Sequence, residues 1–363
     1  MMDARDGTVL SARSMVGRAL RWMSYPREPE DFLAPFWPVA EPRELRAKVI
    51  DVRPEASGCA TLVLSVGRRW RGHRAGQWVA LSVELDGARR TRCFSISSAP
   101  SDGARTIELT IKARPDGAVT PTLIARAMID KVVTLSPAQG EFVLPSPTPR
   151  RLLFVSGGSG ITPIMSMLRT LDRDRALGGS TQVTVVHFAR ALDEVLFLDD
   201  LRALPGVSLH IETERALGRA PSLSEESLAA LLPEFESYEC FTCGPEPLVA
   251  AVERAFAARG QSARVHVERF TRASTVATED TAGSVTFARS GVTARADRPL
   301  LLVAEQSGLN PPSGCGIGIC GTCLCKKLSG TTRDLRTGAL SSEGDTDIAL
   351  CSTVAVGDVS IDL

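Results

Sequence analysis

Residues 151–171 read RLLFVSGGSGITPIMSMLRTL, and this stretch divides the chain. RLLFVS is a short, nearly continuous apolar run of the kind found in strands buried on both faces. GGSG reads as a turn. ITPIMSMLRTL then continues as a helical stretch, with Pro163 suited to the first turn, where its missing N–H is not needed. Strand, glycine turn and helix together open a crossover unit of a parallel sheet.

Downstream the same alternation continues. QVTVVHF (182–188) and VSLHIET (207–213) read as strands, SEESLAALL (224–232) as a helix, ECFTC (239–243) as a strand, PLVAAVERAFAA (247–258) as a helix and ARVHVERF (263–270) as a strand. An α/β parallel-sheet domain over 148–270 follows. Upstream, over 44–147, the pattern is all β. In TIELTIKA (106–113) Ile107, Leu109 and Ile111 alternate with polar residues, the period of a half-buried strand. ATLVLSV (60–66), QWVALSVEL (77–85) and KVVTLSP (131–137) repeat that character between glycine- or proline-containing turns, which predicts an antiparallel barrel or sandwich. PTLIARAM (121–128) predicts one short helix among them.

The flanks differ from both. Residues 271–282, TRASTVATEDTA, are small and polar and read as a linker; the last domain, 283–363, returns to short strands around a cysteine cluster. Residues 1–43 read as an extension in which Arg13, Arg18 and Arg21 are interleaved with Leu10, Met15, Leu20, Trp22 and Met23. That pattern suggests an amphipathic helix, either touching a membrane surface or partner or packing as a strap on the body.

Charge is balanced at 42 basic and 42 acidic residues, so nothing in the total argues for nucleic acid. No apolar run approaches the roughly 20 residues needed to span a bilayer, and the N-terminus lacks an uninterrupted apolar core. A cytoplasmic protein is expected, and there nine cysteines point to metal or redox chemistry more than to disulfides.

PPSGCGIGICGTCLC (311–325) supplies the focus. Cys315, Cys320 and Cys323 stand as C-x4-C-x2-C, and Cys351 follows after 27 intervening residues, the plant-type spacing for a 2Fe–2S cluster. Gly314, Gly316, Gly318 and Gly321 leave room for a sharply turning loop and for backbone N–H groups near cluster sulfurs. A structural zinc site is the main alternative, although zinc ligands come more often as paired C-x2-C units. Cys325 falls outside the spacing. Residues 283–363 therefore resemble a plant-type ferredoxin domain, which implies an α+β β-grasp fold.

The upstream motifs carry a second resemblance. RTRCFSISSAP (90–100) resembles the flavin motif of the ferredoxin–NADP reductase superfamily. The resemblance assigns Arg92 to the flavin phosphate, Phe94 to packing on the flavin in place of the usual tyrosine, and Ser95 to its reactive central-ring nitrogen. A guanidinium grips phosphate in fork geometry, and a ring offers a stacking face. Gly76 and Trp78 in AGQWVAL match the preceding strand of that family, and GAVT, with Gly117, Val119 and Thr120, resembles its phosphate-side turn. SGGSGITPIMSML (156–168) matches its nicotinamide-nucleotide signature, placing Gly157, Gly158, Gly160, Thr162 and Pro163 at the pyrophosphate. FTCGP (241–245) matches its CGP motif, with Cys243, Gly244 and Pro245, and VERF brings Glu268 and Phe270 to the same place. Cys243 can equally be a small buried residue. Ser95, Cys243 and Glu268 are the candidate catalytic residues, in the sense of positioning a hydride transfer. Arg190 follows the second strand of the nucleotide domain, where an arginine favours NADPH over NADH.

The order of flavin barrel, nucleotide domain and ferredoxin looks like the fused reductases that serve oxygenases and desaturases. DFLAPFWPVAEPRELRAKVIDVRPE (31–55) looks similar to the reductase partners of acyl-CoA desaturases. The implied cofactors are FAD (or FMN), a 2Fe–2S cluster and NADPH (or NADH). The implied acceptor is external, a di-iron desaturase or oxygenase, reached through transient membrane-surface contact. Two rivals are a standalone NAD(P)H oxidase acting on quinones or nitro compounds, and a non-enzymatic redox sensor.

Overall fold

The computed structural model describes all residues except 1–44, 86–87, 102, 104, 114–118, 219–222, 271–282, 315, 317 and 319–320. The N-terminal extension, the linker, Gly117, Cys315 and Cys320 thus lie outside the described residues.

The first sheet holds β1 (Leu45–Pro54), β2 (Cys59–Val66), β3 (Trp78–Leu85), β4 (Ala88–Ser95), β5 (Thr106–Lys112) and β6 (Val132–Leu135), in the order β4-β3-β6-β1-β2-β5. An Ile96–Leu109 bridge joins the end of β4 back to β5, so the sheet curls on itself. Apolar side chains of Val49, Leu62, Leu64, Val79, Leu81, Leu109 and their neighbours fill its interior. Alternation in TIELTIK breaks at Thr110, which is buried. Its hydroxyl is satisfied by Thr61 at 2.7 Å and Ser97 at 2.9 Å, as burial of a polar group demands. The short helix expected at 121–128 is split into an α turn at Thr120–Leu123 and a 3-10 turn at Arg126–Met128, because Ala125 between them is extended.

The second sheet is all parallel: β7 (Arg151–Gly157), β8 (Gln182–Ala189), β9 (Val207–Thr213), β10 (Glu239–Cys243) and β11 (Val265–Glu268), ordered β11-β10-β7-β8-β9. Central β7 and β8 are buried almost throughout, which is why their sequences show no alternation. Helix α1 (Ile161–Arg173) packs on one face with Phe154, Val185 and Phe241; helix α2 (Glu246–Ala258) packs on the other with Val155, Val186 and Cys240.

Helix α1 also fastens this sheet to the barrel. Ser166 Oγ donates to the Ser98 carbonyl at 2.7 Å. Arg169 donates to the Ser97 carbonyl at 3.0 Å and pairs with Glu108 at 2.9 Å and Asp200 at 2.8 Å.

The C-terminal sheet contains β12 (Ser284–Phe287), β13 (Val292–Arg295), β14 (Leu324–Asp334), β15 (Leu340–Ser341), β16 (Thr346–Ala349) and β17 (Thr353–Ile361), ordered β13-β12-β17-β14-β15 with β16 on β14. β12 and β17 run parallel, and helix α3 (Leu300–Gln306) buries Leu300, Leu301, Val303 and Ala304 in their core. The chain is therefore multidomain: a curled antiparallel sheet, a parallel α/β sheet and a mixed sheet with one helix. No helix among the described residues is long and apolar enough to cross a membrane.

Candidate functional site

The flavin motif lies on β4, paired with β3 so that Trp78 faces Ser95, Val79 faces Phe94 and Leu81 faces Arg92. Phe94 packs half-buried against the barrel interior. Arg92 Nη1 donates to the Thr91 carbonyl at 2.8 Å and to the Gly314 carbonyl at 3.2 Å. Gly314 belongs to the cysteine loop, so the arginine of the barrel motif touches the neighbour of Cys315. A cleft of about 440 Å³ runs between Ser82, Thr91 and Ser136 of the barrel and Pro312, Ser313 and Thr322 of the C-terminal domain. Gly76 has φ +100°, and a Cβ there would collide with the Phe142 carbonyl and come within 2.5 Å of Met167 Cε on α1. Trp78 is buried over Gly140, whose missing Cβ leaves room for the indole. Val119 is buried and caps the single α turn that begins at Thr120.

After β7 the chain makes a 3-10 turn, Gly158–Gly160, into α1. This turn interlocks with the one after β10. A Cβ on Gly160 would strike the Cys243 carbonyl oxygen and lie 2.5 Å from its carbon and 2.9 Å from Gly244 N. A Cβ on Gly157 would lie 2.7 Å from Pro245 Cδ, and one on Gly244 would lie 2.9 Å from Gly157 N. Gly158 is the one with φ +54° and open space around it. The Thr162 hydroxyl donates to the Ser159 carbonyl at 2.9 Å and so stabilises the turn itself; Pro163 sits buried in the first helical turn. Gly157, Gly158, Gly160, Gly244, Pro245, Arg190 and Phe270 all line one cleft of about 730 Å³. Lys112 and Arg254 line it too, and the sequence motifs did not single them out. Lys112, at the end of β5, pairs with Glu194 at 3.1 Å, which joins barrel to nucleotide domain along the cleft.

Register places Glu268, Cys243, Ser156 and His187 side by side across β11, β10, β7 and β8. Neighbours in a parallel ladder share a face, so these four form a polar row at the C-terminal end of the strands. Cys243 is fully buried, and burial, with Glu268 adding to it, pushes its thiol well above the ordinary value. It is thus a neutral thiol. Burial likewise lowers His187 to about 4, leaving a neutral ring held by Ser156 Oγ at 2.8 Å. Glu268 is half-buried as a residue, but its Oε2 is sealed from solvent and has no hydrogen-bond partner among the described residues. Burial raises its pKa to about 8, offset in part by the Ser95 hydroxyl. Ser95 Oγ, near enough to favour the ionised carboxylate, has no hydrogen-bond partner among the described residues. A buried hydroxyl and a buried carboxyl oxygen, both without a hydrogen-bond partner among the described residues and meeting between two domains, suit a bound polar group. The glycine turns leave backbone exposed to the cleft, as a dinucleotide requires.

Of the four predicted metal ligands, Cys323 and Cys351 are described. Both are buried, with Sγ atoms 3.2 Å apart, well beyond a covalent S–S bond. Gly318 N donates to Cys351 Sγ at 3.0 Å, and such N–H···S bonds are characteristic of thiolates that hold iron. Cys325 turns instead to the Asp362 carbonyl at 3.4 Å. The two described thiols, with the Gly318 N–H on one of them, suit one half of a 2Fe–2S donor set, and the unpartnered groups between barrel and parallel sheet suit a flavin and a nicotinamide nucleotide.

Comparison with known proteins agrees with this architecture. An oxidoreductase FAD-binding domain matches residues 50–144, an oxidoreductase NAD-binding domain 154–254, and a 2Fe–2S iron–sulfur cluster binding domain 285–356. An NADPH oxidoreductase of Mycobacterium tuberculosis is 36% identical over 100% of this chain and 97% of its own length. A glycine betaine monooxygenase reductase subunit of Chromohalobacter salexigens is 30% identical over 77% of this chain and 84% of its own. Among solved structures, phthalate dioxygenase reductase, described as a modular structure for electron transfer from pyridine nucleotides to 2Fe–2S, superposes with a TM-score of 0.61 at 25% identity, covering 88% of this chain and 98% of that one.

Proposed function

Since the chain belongs to the NAD(P)H-dependent oxidoreductases that join FAD-binding, NAD-binding and 2Fe–2S domains, we propose that it draws electron pairs from NADPH and delivers them singly to an external oxygenase-type acceptor. The observation that carries this reading is contiguity. Ser95 of the barrel meets Glu268 of the nucleotide domain, and Arg92, three residues before Ser95, touches the cysteine loop at Gly314. One barrel strand, β4, therefore reaches both of the other domains.

A flavin held at this junction supplies hydride acceptance and stepwise electron release, and a 2Fe–2S cluster supplies single-electron transfer, chemistry that side chains lack. The protein's part is to bind and orient. Gly157, Gly158, Gly160, Gly244 and Pro245 bring backbone close to a pyrophosphate. Arg92 grips the flavin phosphate, Phe94 packs on the ring system with Gly76 and Trp78 shaping the shelf, and Val119 and Thr120 close the phosphate side. Ser95 offers a hydrogen bond to the ring. Cys243, neutral and buried, fills the space beside the nicotinamide without competing as a base. Glu268, held protonated at neutral pH, keeps a proton at its carboxyl within reach of Ser95. The barrel, α1 and the parallel sheet exclude water from that point. Cys315, Cys320, Cys323 and Cys351 hold the cluster.

Arg190 and Arg254 line the same cleft and read the extra phosphate of NADPH. The acceptor we favour is a di-iron desaturase or hydroxylase at a membrane, supported by the resemblance of residues 31–55 to reductases that serve acyl-CoA desaturases. Anaerobic titration of the purified protein tests the core reading. Flavin and cluster together take three electrons and each NADPH supplies two, so NADPH in excess should bleach the flavin band and also raise the EPR signal of a reduced 2Fe–2S cluster, and NADH should need a much higher concentration. Bleaching without any cluster signal would refute the transfer path. Arg190→Ala should raise KM for NADPH about tenfold and leave that for NADH unchanged.

A further inference from the structure

A contact that none of the motifs contains lies in the C-terminal domain, at Arg336. Arg336 sits in the turn between β14 and β15. Its own N–H is fixed by Asp334 Oδ1 at 2.8 Å, and Gly338 N donates to the Asp334 carbonyl at 2.8 Å, so the turn is closed on itself. Leu335 N reaches the carbonyl of Ser352, the residue after Cys351, at 2.8 Å. From this base the Arg336 side chain crosses to the cysteine loop, and Nη1 donates to the Gly318 carbonyl at 2.6 Å.

Gly318 is the residue whose N–H points at Cys351 Sγ, 3.0 Å away. Its φ is +78°, and a Cβ on it would collide with Ser352 and come within 2.9 Å of Arg336 Cδ. The glycine is thus held from three directions: by its carbonyl, by its N–H and by the absence of space. An arginine always carries its charge, and this one ends one residue's breadth from a cluster ligand.

We infer that Arg336 is a positioning residue that sets the reduction potential of the cluster, by pinning Gly318 so that its N–H stays on Cys351 Sγ and by holding a fixed positive charge beside the cysteine loop. Reducing the cluster adds a negative charge. Hydrogen bonds to the sulfurs and nearby cations favour that state, so both parts of the device raise the potential. The inference rests on the reading of Cys315, Cys320, Cys323 and Cys351 as cluster ligands. Failure of that reading would appear as no iron and no reduced-cluster EPR signal in the unaltered protein.

The test is an EPR-monitored redox titration of the full chain with Arg336→Gln, Arg336→Ala and Arg336→Lys. Gln and Ala should shift the one-electron equilibrium against cluster reduction about tenfold, which for a one-electron couple is a fall of about 59 mV. Lys, which keeps the charge and loses the fork, should fall between Gln and the unaltered protein. Iron content and EPR spin count identify the loaded fraction, and the potential is read on that fraction alone. A residue that merely folded the loop would reduce loading and leave that potential in place, and an unshifted midpoint in loaded Gln and Ala variants overturns the inference. Should neither of those load, the Lys variant decides, with an unchanged midpoint again the refuting result.

Discussion

Replacing Glu268 by Gln probes the electrostatics of the domain junction directly. Burial raises this carboxyl to about 8 from an ordinary value of 4.5. An acid whose folded-state pKa lies above its unfolded value binds its proton more tightly in the native protein. Below pH 4.5 both states hold the proton and the group has no effect. Between 4.5 and 8 the unfolded chain releases it while the native chain keeps it, so native stability falls as pH rises through that window. Each unit of that difference is worth about 1.4 kcal/mol at full burial. Glu268 is only half-buried as a residue, so solvent screening shortens the window and the total effect without reversing the sign.

Glutamine keeps the shape and has no proton to lose. The flavin-free Glu268→Gln protein should therefore gain stability over the unaltered flavin-free protein progressively from pH 5 to pH 8, with the gap levelling above. Urea unfolding of both proteins at pH 5, 6, 7, 8 and 9, followed through tryptophan fluorescence, measures it. A gap that is flat across the window, or that closes with rising pH, would mean the carboxyl is ionised in the native state and the account of Glu268 as a held proton is wrong.

Other expectations follow from particular contacts. Gly160→Ala drives a methyl group into the Cys243–Gly244 peptide and should cost about 1–3 kcal/mol together with NADPH affinity, read by thermal melting with and without nucleotide. Arg169→Ala removes pairs to Glu108 and Asp200 and a bond to the Ser97 carbonyl, so calorimetry should resolve barrel and nucleotide domain as separate transitions where the unaltered chain unfolds them together. Cys323→Ser should abolish the cluster EPR signal and reduction of a protein acceptor, while stopped-flow reduction of the flavin by NADPH keeps its rate.

Much of this architecture was legible because its signals are local. RLLFVS and QVTVVHF read as strands through continuous burial, and SEESLAALL read as a helix whose Ser224 indeed forms a capping box with Ser227. The glycine turn and the CGP turn were each visible in a dozen residues. Their interlocking was not, since Gly160 and Cys243 are far apart in sequence and meet only when β7 and β10 pair. The same holds for the row of Glu268, Cys243, Ser156 and His187, which exists only as strand register. Lys112 and Arg254 reach the nucleotide cleft from the barrel and from the outer helix, and Arg336 reaches Gly318 from a hairpin turn. Long flexible cations have no positional signature, because their reach exceeds any local spacing rule.

The Arg92–Gly314 contact has a bearing on how the molecule is assembled. One guanidinium ties the first sheet to the carboxy-terminal module. A substitution of Arg92 therefore acts on two domains at once, and a fault it causes in the cysteine loop is not by itself a fault of the barrel.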